Sequence, residues 1–281
     1  MTKLRFKYYM KLSFSDSVIK HRFSLKCIPK SDVNQRIYVT HKDIYPNSFI
    51  SEGCDSFGNL IIYGYEENRH KYFFFDIEGE AETGIKATAG SEDNKGGSDQ
   101  MLSLMKYQTN VTRPGDSIRA YYSELIRDIT EEADINSKFG IEDADDAMRF
   151  SLYTMMRLGR DFRYESGVTD IQTTAEEAMK KRTGVCQDYA HIMISLCRLR
   201  GIPCRYVTGM MLGEGESHAW VEVRIGDEWI GMDPTNSQVV GDYYIKIAHG
   251  RDYSDCLVNQ GLFTGAVQQE QKISVSVEEI I

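Results

Sequence analysis

No apolar run in this sequence approaches the ~20 residues that a membrane-spanning helix requires. Basic residues are the minority, 33 against 42 acidic, for a net charge of −9. That balance argues against a nucleic-acid surface or an anionic membrane, both of which call for a basic patch. Neither Cys-x-x-Cys nor His-Glu-x-x-His spacing occurs, and no EF-hand loop is present, so neither zinc nor calcium is expected and no cofactor is implied. The six cysteines show no disulfide-like spacing, which suits a reducing compartment. The first residues lack the continuous apolar core of a signal peptide, so the expected location is cytoplasmic. What is present is ample for folding: 281 residues, 41% hydrophobic and 27% charged, support one large domain or two ordinary ones.

The organisation changes along the chain. Residues 1–88 read as strand-rich, with Leu4, Phe6, Tyr8, Met10, Leu12 and Phe14 at the period-2 spacing of a half-buried strand. Further short runs, separated by turn residues such as Pro29 to Asp32 and Gly58-Asn59, suggest a small sandwich or barrel. Residues 89–100 are small or polar and read as a flexible linker, with residues 101–281 forming a second domain. There the period becomes helical: Ile118, Tyr121, Tyr122, Leu125, Ile126 and Ile129 share a face, with Asp116 or Ser117 as the expected N-cap. A helix is expected at about 143–158 with Met148, Leu152, Met155 and Met156 inward, its start solvated by the acidic run Glu142 to Asp146. Another is expected at 175–181, where Thr174 and Glu177 have capping-box spacing. From His218 onward strand patterns return, the last at Lys272 to Ile280. The fold class expected for this second part is α+β.

The chemistry concentrates in Thr183-Gly-Val-Cys-Gln-Asp-Tyr-Ala-His191 and the apolar stretch after it. Tyr189, Ile192, Met193, Leu196 and Leu199 have helical spacing, and Gly201 then Pro203 supply a stop. Cys186 therefore sits at the first turn of a helix, where unpaired N–H groups and the dipole favour a thiolate. Cys197 and Cys204 fit a buried, inert role better. A nucleophilic cysteine needs a base, and His218 lies on a strand that joins the next through the turn signal Gly226-Asp227. If Ile225 faces Glu228, then His218 and Asp233 project from one sheet face as diagonal neighbours. The arrangement is Cys186 as nucleophile, His218 as base and Asp233 as the acid that orients the imidazole. His191, five residues beyond Cys186, points elsewhere. Spacing alone leaves open a structural histidine and an ordinary Asp-Pro turn.

Four motifs narrow that choice: Gly184-Val-Cys-Gln-Asp-Tyr-Ala-His191, Arg200-Gly-Ile-Pro-Cys-Arg-Tyr-Val-Thr-Gly209, His218-Ala-Trp-Val-Glu-Val223 and Asp233-Pro-Thr-Asn236. In this order and spacing they resemble the bacterial transglutaminase-like superfamily, whose members are described as candidate cysteine proteases. Gly250 to Asp255 also looks like this family, and Asp55-Ser-Phe-Gly-Asn59 is similar to the β-domain its bacterial members carry. Cys204 stands where the family is expected to have a small residue such as alanine. The resemblance implies a papain-like α+β core and places nucleophile, base and acid on Cys186, His218 and Asp233. The Cys186 N–H is then a natural oxyanion donor, with Tyr164 and Gln187 as polar candidates for a second. The implied partner is a protein or peptide substrate, cleaved through a thioester with water as the main acceptor. The alternatives are a transglutaminase with an amine acceptor, or a non-catalytic binding module on the same fold. Residues 209–217, leading into His218, are expected to form a mobile wall of the site.

Overall fold

The computed structural model describes residues 1–85, 99–131 and 145–280. Most of the expected linker at 89–100, like Glu142 and Asp143, lies outside these residues. The chain opens with β1 (Thr2–Leu25), β2 (Gln35–Tyr45), β3 (Phe49–Cys54), β4 (Leu60–Glu66) and β5 (His70–Thr83). Then come α1 (Asp99–Leu104), α2 (Asp116–Glu131), α3 (Asp146–Asp161), β6 (Arg163–Tyr164), α4 (Ala175–Lys181), β7 (Thr183–Gly184) and α5 (Cys186–Leu199). The remainder is mostly strand: β8 (Cys204–Met211), β9 (Gly213–Gly215), β10 (His218–Ile225), β11 (Glu228–Asp233), β12 (Gln238–Val239), β13 (Tyr244–Gly250), β14 (Asn259–Thr264) and β15 (Gln269–Glu279).

The first sheet is antiparallel and runs β2-β5-β1-β15-β9, with β4 and β14 added to β1 and β3 to β4. Its organiser is β1. Leu4 through Phe14 alternate as the sequence suggests, and those six apolar residues are buried. A register shift between Ser13 and Val18, and Lys20 at φ 53°, bend the strand. Its first half therefore pairs with β5 and β15, and its second with β4 and β14. Phe14, His21, Phe23, Phe73 and Phe263 pack together beside that bend.

One correction concerns the chain's end. The sequence division assigned everything after residue 100 to the second domain, but β15 pairs with β1 from Leu4↔Glu279 to Phe14↔Gln269. The period-2 run at Ile273, Val275 and Val277 marks a half-buried strand and carries no mark of which sheet it joins. Here it completes the first one.

The second sheet has the order β12-β11-β10-β8-β13. Helix α5 packs on β8 and β10, with Ile192, Met193, Leu196 and Cys197 fully buried. Its end is a Schellman motif: Gly201, at φ 79°, donates to Arg198 O and Ile202 to Cys197 O. The α4 capping box forms between Thr174 and Glu177. Asp145 caps α3, which buries Met148, Leu152 and Met155 while Met156 is only half-buried. The N-terminus of α2 departs from expectation. Its N–H groups at Gly115, Ser117 and Ile118 are capped by the Glu176 carboxylate of α4, not by Asp116 or Ser117. A cap supplied from another helix leaves no local sequence signature.

The two sheets meet at β13, which is an edge strand of the second sheet. The Gln35 carboxamide accepts from Lys246 N at 2.8 Å and donates to Lys246 O at 2.7 Å. Asn59 does the same at His249, accepting from N at 2.9 Å and donating to O at 2.7 Å. Two side-chain amides thus act as strand backbone and satisfy an exposed edge. Asn59 is itself held by Asp55, whose carboxylate accepts from its N and Nδ2. The Asp55–Asn59 motif is accordingly a turn that locks the first sheet onto the second. Replacing Asn59 with leucine should lower stability by about 1–3 kcal/mol for each His249 group left unpaired, read as a fall in the urea midpoint. An unchanged midpoint would show that water substitutes for the amide.

Candidate active site

The position of Cys186 is built from short elements. β7 pairs in parallel with β6, Tyr164 opposite Gly184. A Cβ on Gly184 would lie 2.5 Å from Asp188 Oδ2, so only glycine admits that carboxylate. Asp188 uses the space to accept from Val185 N at 2.8 Å and from Thr169 Oγ1 at 2.7 Å. Burial, the largest influence, raises its carboxyl above the usual range although the Val185 and Thr169 bonds oppose it. The chain is thereby fixed just before Cys186, the first residue of α5 and half-buried. Helix geometry leaves the first N–H groups without intrahelical acceptors at this point.

His218 and Asp233 come from the β10–β11 hairpin. Ile225 pairs with Glu228, the register the turn signal requires. His218 Nε2 lies 2.7 Å from Asp233 Oδ2. The ring is also within hydrogen-bonding reach of Cys186, which leaves Nδ1 for the sulfur. Burial pulls the imidazole pKa down, but the bonds to Asp233 and Cys186 and their charges outweigh it and push it up to about 9.

Asp233 has no exposed surface. Its Oδ2 accepts from His218, from Asn236 Nδ2 at 2.7 Å and from Tyr244 Oη at 2.7 Å. Its Oδ1 accepts from Thr235 N at 2.9 Å and Asn236 N at 3.2 Å. Burial alone would raise this carboxyl, but the His218 bond and charge, with Asn236 and Tyr244, hold it below the usual range. Tyr244 in turn accepts from Gln238 Nε2 at 2.5 Å and meets Trp220 edge-on at 5.3 Å. Sequence reasoning missed Tyr244 and Gln238: β13 brings Tyr244 to the site through sheet pairing, and β12 sets Gln238 opposite Asp233.

The other residues singled out in the sequence take structural or peripheral places. His191 is fully buried, and its Nε2 accepts from Tyr253 N at 3.2 Å. Burial, partly offset by Asp252 and reinforced by Arg198, lowers its pKa to about 4, so it serves as a neutral acceptor inside the core. Tyr253 belongs to the Gly250–Asp255 segment, where Arg251 and Asp255 are ion-paired at 2.8 Å. That segment is therefore a brace for α5. Cys197 and Cys204 are buried. Tyr164 is 55% exposed at the rim, and Gln187 is half-buried on the first turn of α5.

The wall before His218 is partly strand. Residues Gly213, Glu214 and Gly215 form β9, paired with Val277, Ser276 and Val275 of β15. The first sheet therefore reaches the approach to His218. Residues 212–216 are nonetheless all exposed.

Residues 133–234 match the family model described as Transglutaminase-like superfamily, a span that contains Cys186, His218 and Asp233. The described residues of that span, from Asp145 to Pro234, are mixed helices and strands. A solved structure from Cytophaga hutchinsonii, described as a "Putative Cysteine Protease", shares the fold with a TM-score of 0.69 at 20% identity. It covers 100% of this chain and 92% of that one, so the likeness includes the N-terminal sheet. An uncharacterized protein of Mycobacterium tuberculosis is 36% identical over 138 residues, covering 43% of this chain and 44% of its own length. One from Mycobacterium leprae is 33% identical over 127 residues, covering 42% of this chain and 45% of its own. The chain thus spans less than half the length of these relatives.

Proposed function

We propose that this chain is a thiol-dependent acyl-transfer enzyme that cleaves peptide or amide bonds, with water as the main acceptor. The observation that carries the reading is His218, held at 2.7 Å by a buried carboxylate and within reach of Cys186. In the first half-reaction the proton already rests on His218 and the Cys186 sulfur attacks the carbonyl carbon. The oxyanion that forms faces the helix-start N–H of Cys186. The imidazolium then protonates the leaving amine, the C–N bond breaks, and a thioester remains on Cys186. Water, deprotonated by His218, adds to that thioester, and the sulfur leaves with the proton once more on the ring. Asp233 keeps the ring in the tautomer that presents Nδ1 to sulfur.

The acceptor is argued from the entrance. A dedicated amine transferase shields its thioester behind aromatic walls and an ordered lid. Here Trp220 is buried against Tyr244, and the residues leading to His218 are exposed, acidic and glycine-containing. That openness admits water. A glutamine- or peptide-amide substrate should accordingly be hydrolysed even with a primary amine present at millimolar concentration and no added calcium. The measurement is the ratio of amine-conjugated to hydrolysed product over a peptide library. A ratio dominated by conjugate, and lost in Cys186→Ala, would replace the protease reading with the transglutaminase one.

A further inference from the structure

The first sheet ends at β9, and β9 ends three residues before His218. Its inner edge is taken by β15, while no strand covers its outer edge among the described residues. A strand edge presents a row of N–H and C=O groups ready to pair with another extended chain. Proteins guard such edges with bulk, bulges or proline. Here two of the three residues are glycines, and a Cβ on either Gly213 or Gly215 would meet nothing within 4 Å. The edge is therefore bare enough for another backbone to approach closely.

Its location gives the edge a use. Three residues of extended chain span about 10 Å, so a segment lying on β9 is one short step from the base. The opposite side of Cys186 is walled by Tyr164, which pairs with Gly184 and is exposed. Burial raises the Tyr164 phenol and the charges of Cys186 and Glu216 add to it, so that ring lies near both groups. Glu214 and Glu216 are exposed, and neither forms an ion pair among the described residues.

We propose that the outer edge of β9 is the substrate-binding strand of this site: an extended segment of a protein substrate, bearing lysine or arginine, adds to it and passes over Cys186 between Glu216 and Tyr164. This rests on the acyl-transfer reading and names its substrate form. The backbone ladder supplies sequence-tolerant affinity, and the two carboxylates supply a charge preference.

The test uses two series of alkylating peptides on the full chain, with Cys186 modification followed by mass spectrometry. Peptidyl chloromethyl ketones extend from the warhead toward their N-terminus, and chloroacetyl peptides extend toward their C-terminus. In at least one series, the inactivation rate should rise with peptide length. N-methylation should slow it about fivefold at alternate residues only, since each lost ladder bond is worth roughly 1 kcal/mol. Lysine-bearing probes should outpace glutamate-bearing ones, with the gap narrowed in Glu214→Gln and Glu216→Gln. If iodoacetamide alkylates Cys186 but neither series depends on length or on N-methyl position, the strand proposal falls alone. If iodoacetamide also fails at Cys186, the acyl-transfer reading falls and takes the strand with it.

Discussion

Cys186→Ala should abolish turnover, and His218→Ala should lower it nearly as far, by about 10⁴–10⁶-fold, because on the proposed mechanism nucleophile and base act as one unit. His191→Ala is the control that makes this informative. Both histidines lie in or beside the same helix-and-sheet core, but His191 accepts from Tyr253 N while His218 bridges Asp233 and Cys186. Removing the His191 ring leaves that backbone N–H unpaired and opens a cavity, so stability drops by about 1–3 kcal/mol. Activity per folded molecule stays within a few-fold of the parent. Steady-state kinetics normalised to folded protein by circular dichroism separates the two effects. Equal loss from His191→Ala and His218→Ala, with folding preserved, contradicts the assignment of the base.

Asp233→Asn should cost about 10⁴-fold in kcat while leaving the fold recognisable, since the carboxamide no longer enforces the productive tautomer. The substitution also places an NH₂ group among five hydrogen-bond donors, which lowers stability by about 1–3 kcal/mol. The pH profile carries a second, independent signature. In the parent protein the His218 proton is held up to about pH 9, chiefly by Asp233 against the opposing influence of burial. Turnover should therefore decline as pH rises through about 9, where the imidazolium that protonates the leaving group is lost. The stability linkage has the same sign. A folded pKa raised above the unfolded value of about 6.5 contributes fully below that pH and is lost as pH rises through the folded value. In Asp233→Asn the alkaline limb should move toward neutrality. A limb that stays in place would mean that Asp233 does not set the state of the ring.

Much of this was readable from residues alone, for identifiable reasons. The alternation from Leu4 to Phe14 and the helical spacing from Tyr189 to Leu199 are direct images of a half-buried strand and an inward helix face. The hairpin register follows from Gly226-Asp227, and with it the meeting of His218 and Asp233. What local pattern cannot encode is the choice of a distant partner. The return of β15 to β1, the capture of β9 by β15, the Glu176 cap on α2 and the arrival of Tyr244 at Asp233 all depend on contacts far apart in sequence. The wall expected at 209–217 shows the same limit: only the sheet beside it makes Gly213–Gly215 a strand.

The most direct test of the central claim is the order in which the cysteines react. Cys54 is exposed, Cys186 only half-buried, and Cys27, Cys197, Cys204 and Cys256 buried. Accessibility alone would therefore put Cys54 first. A thiol at a helix start beside the His218 ring should react sooner than its exposure warrants. Substoichiometric iodoacetamide at neutral pH, read by peptide mass spectrometry, should label Cys186 ahead of Cys54, and His218→Ala should reverse that order. Labelling of Cys54 with Cys186 left intact in the parent protein would contradict the account.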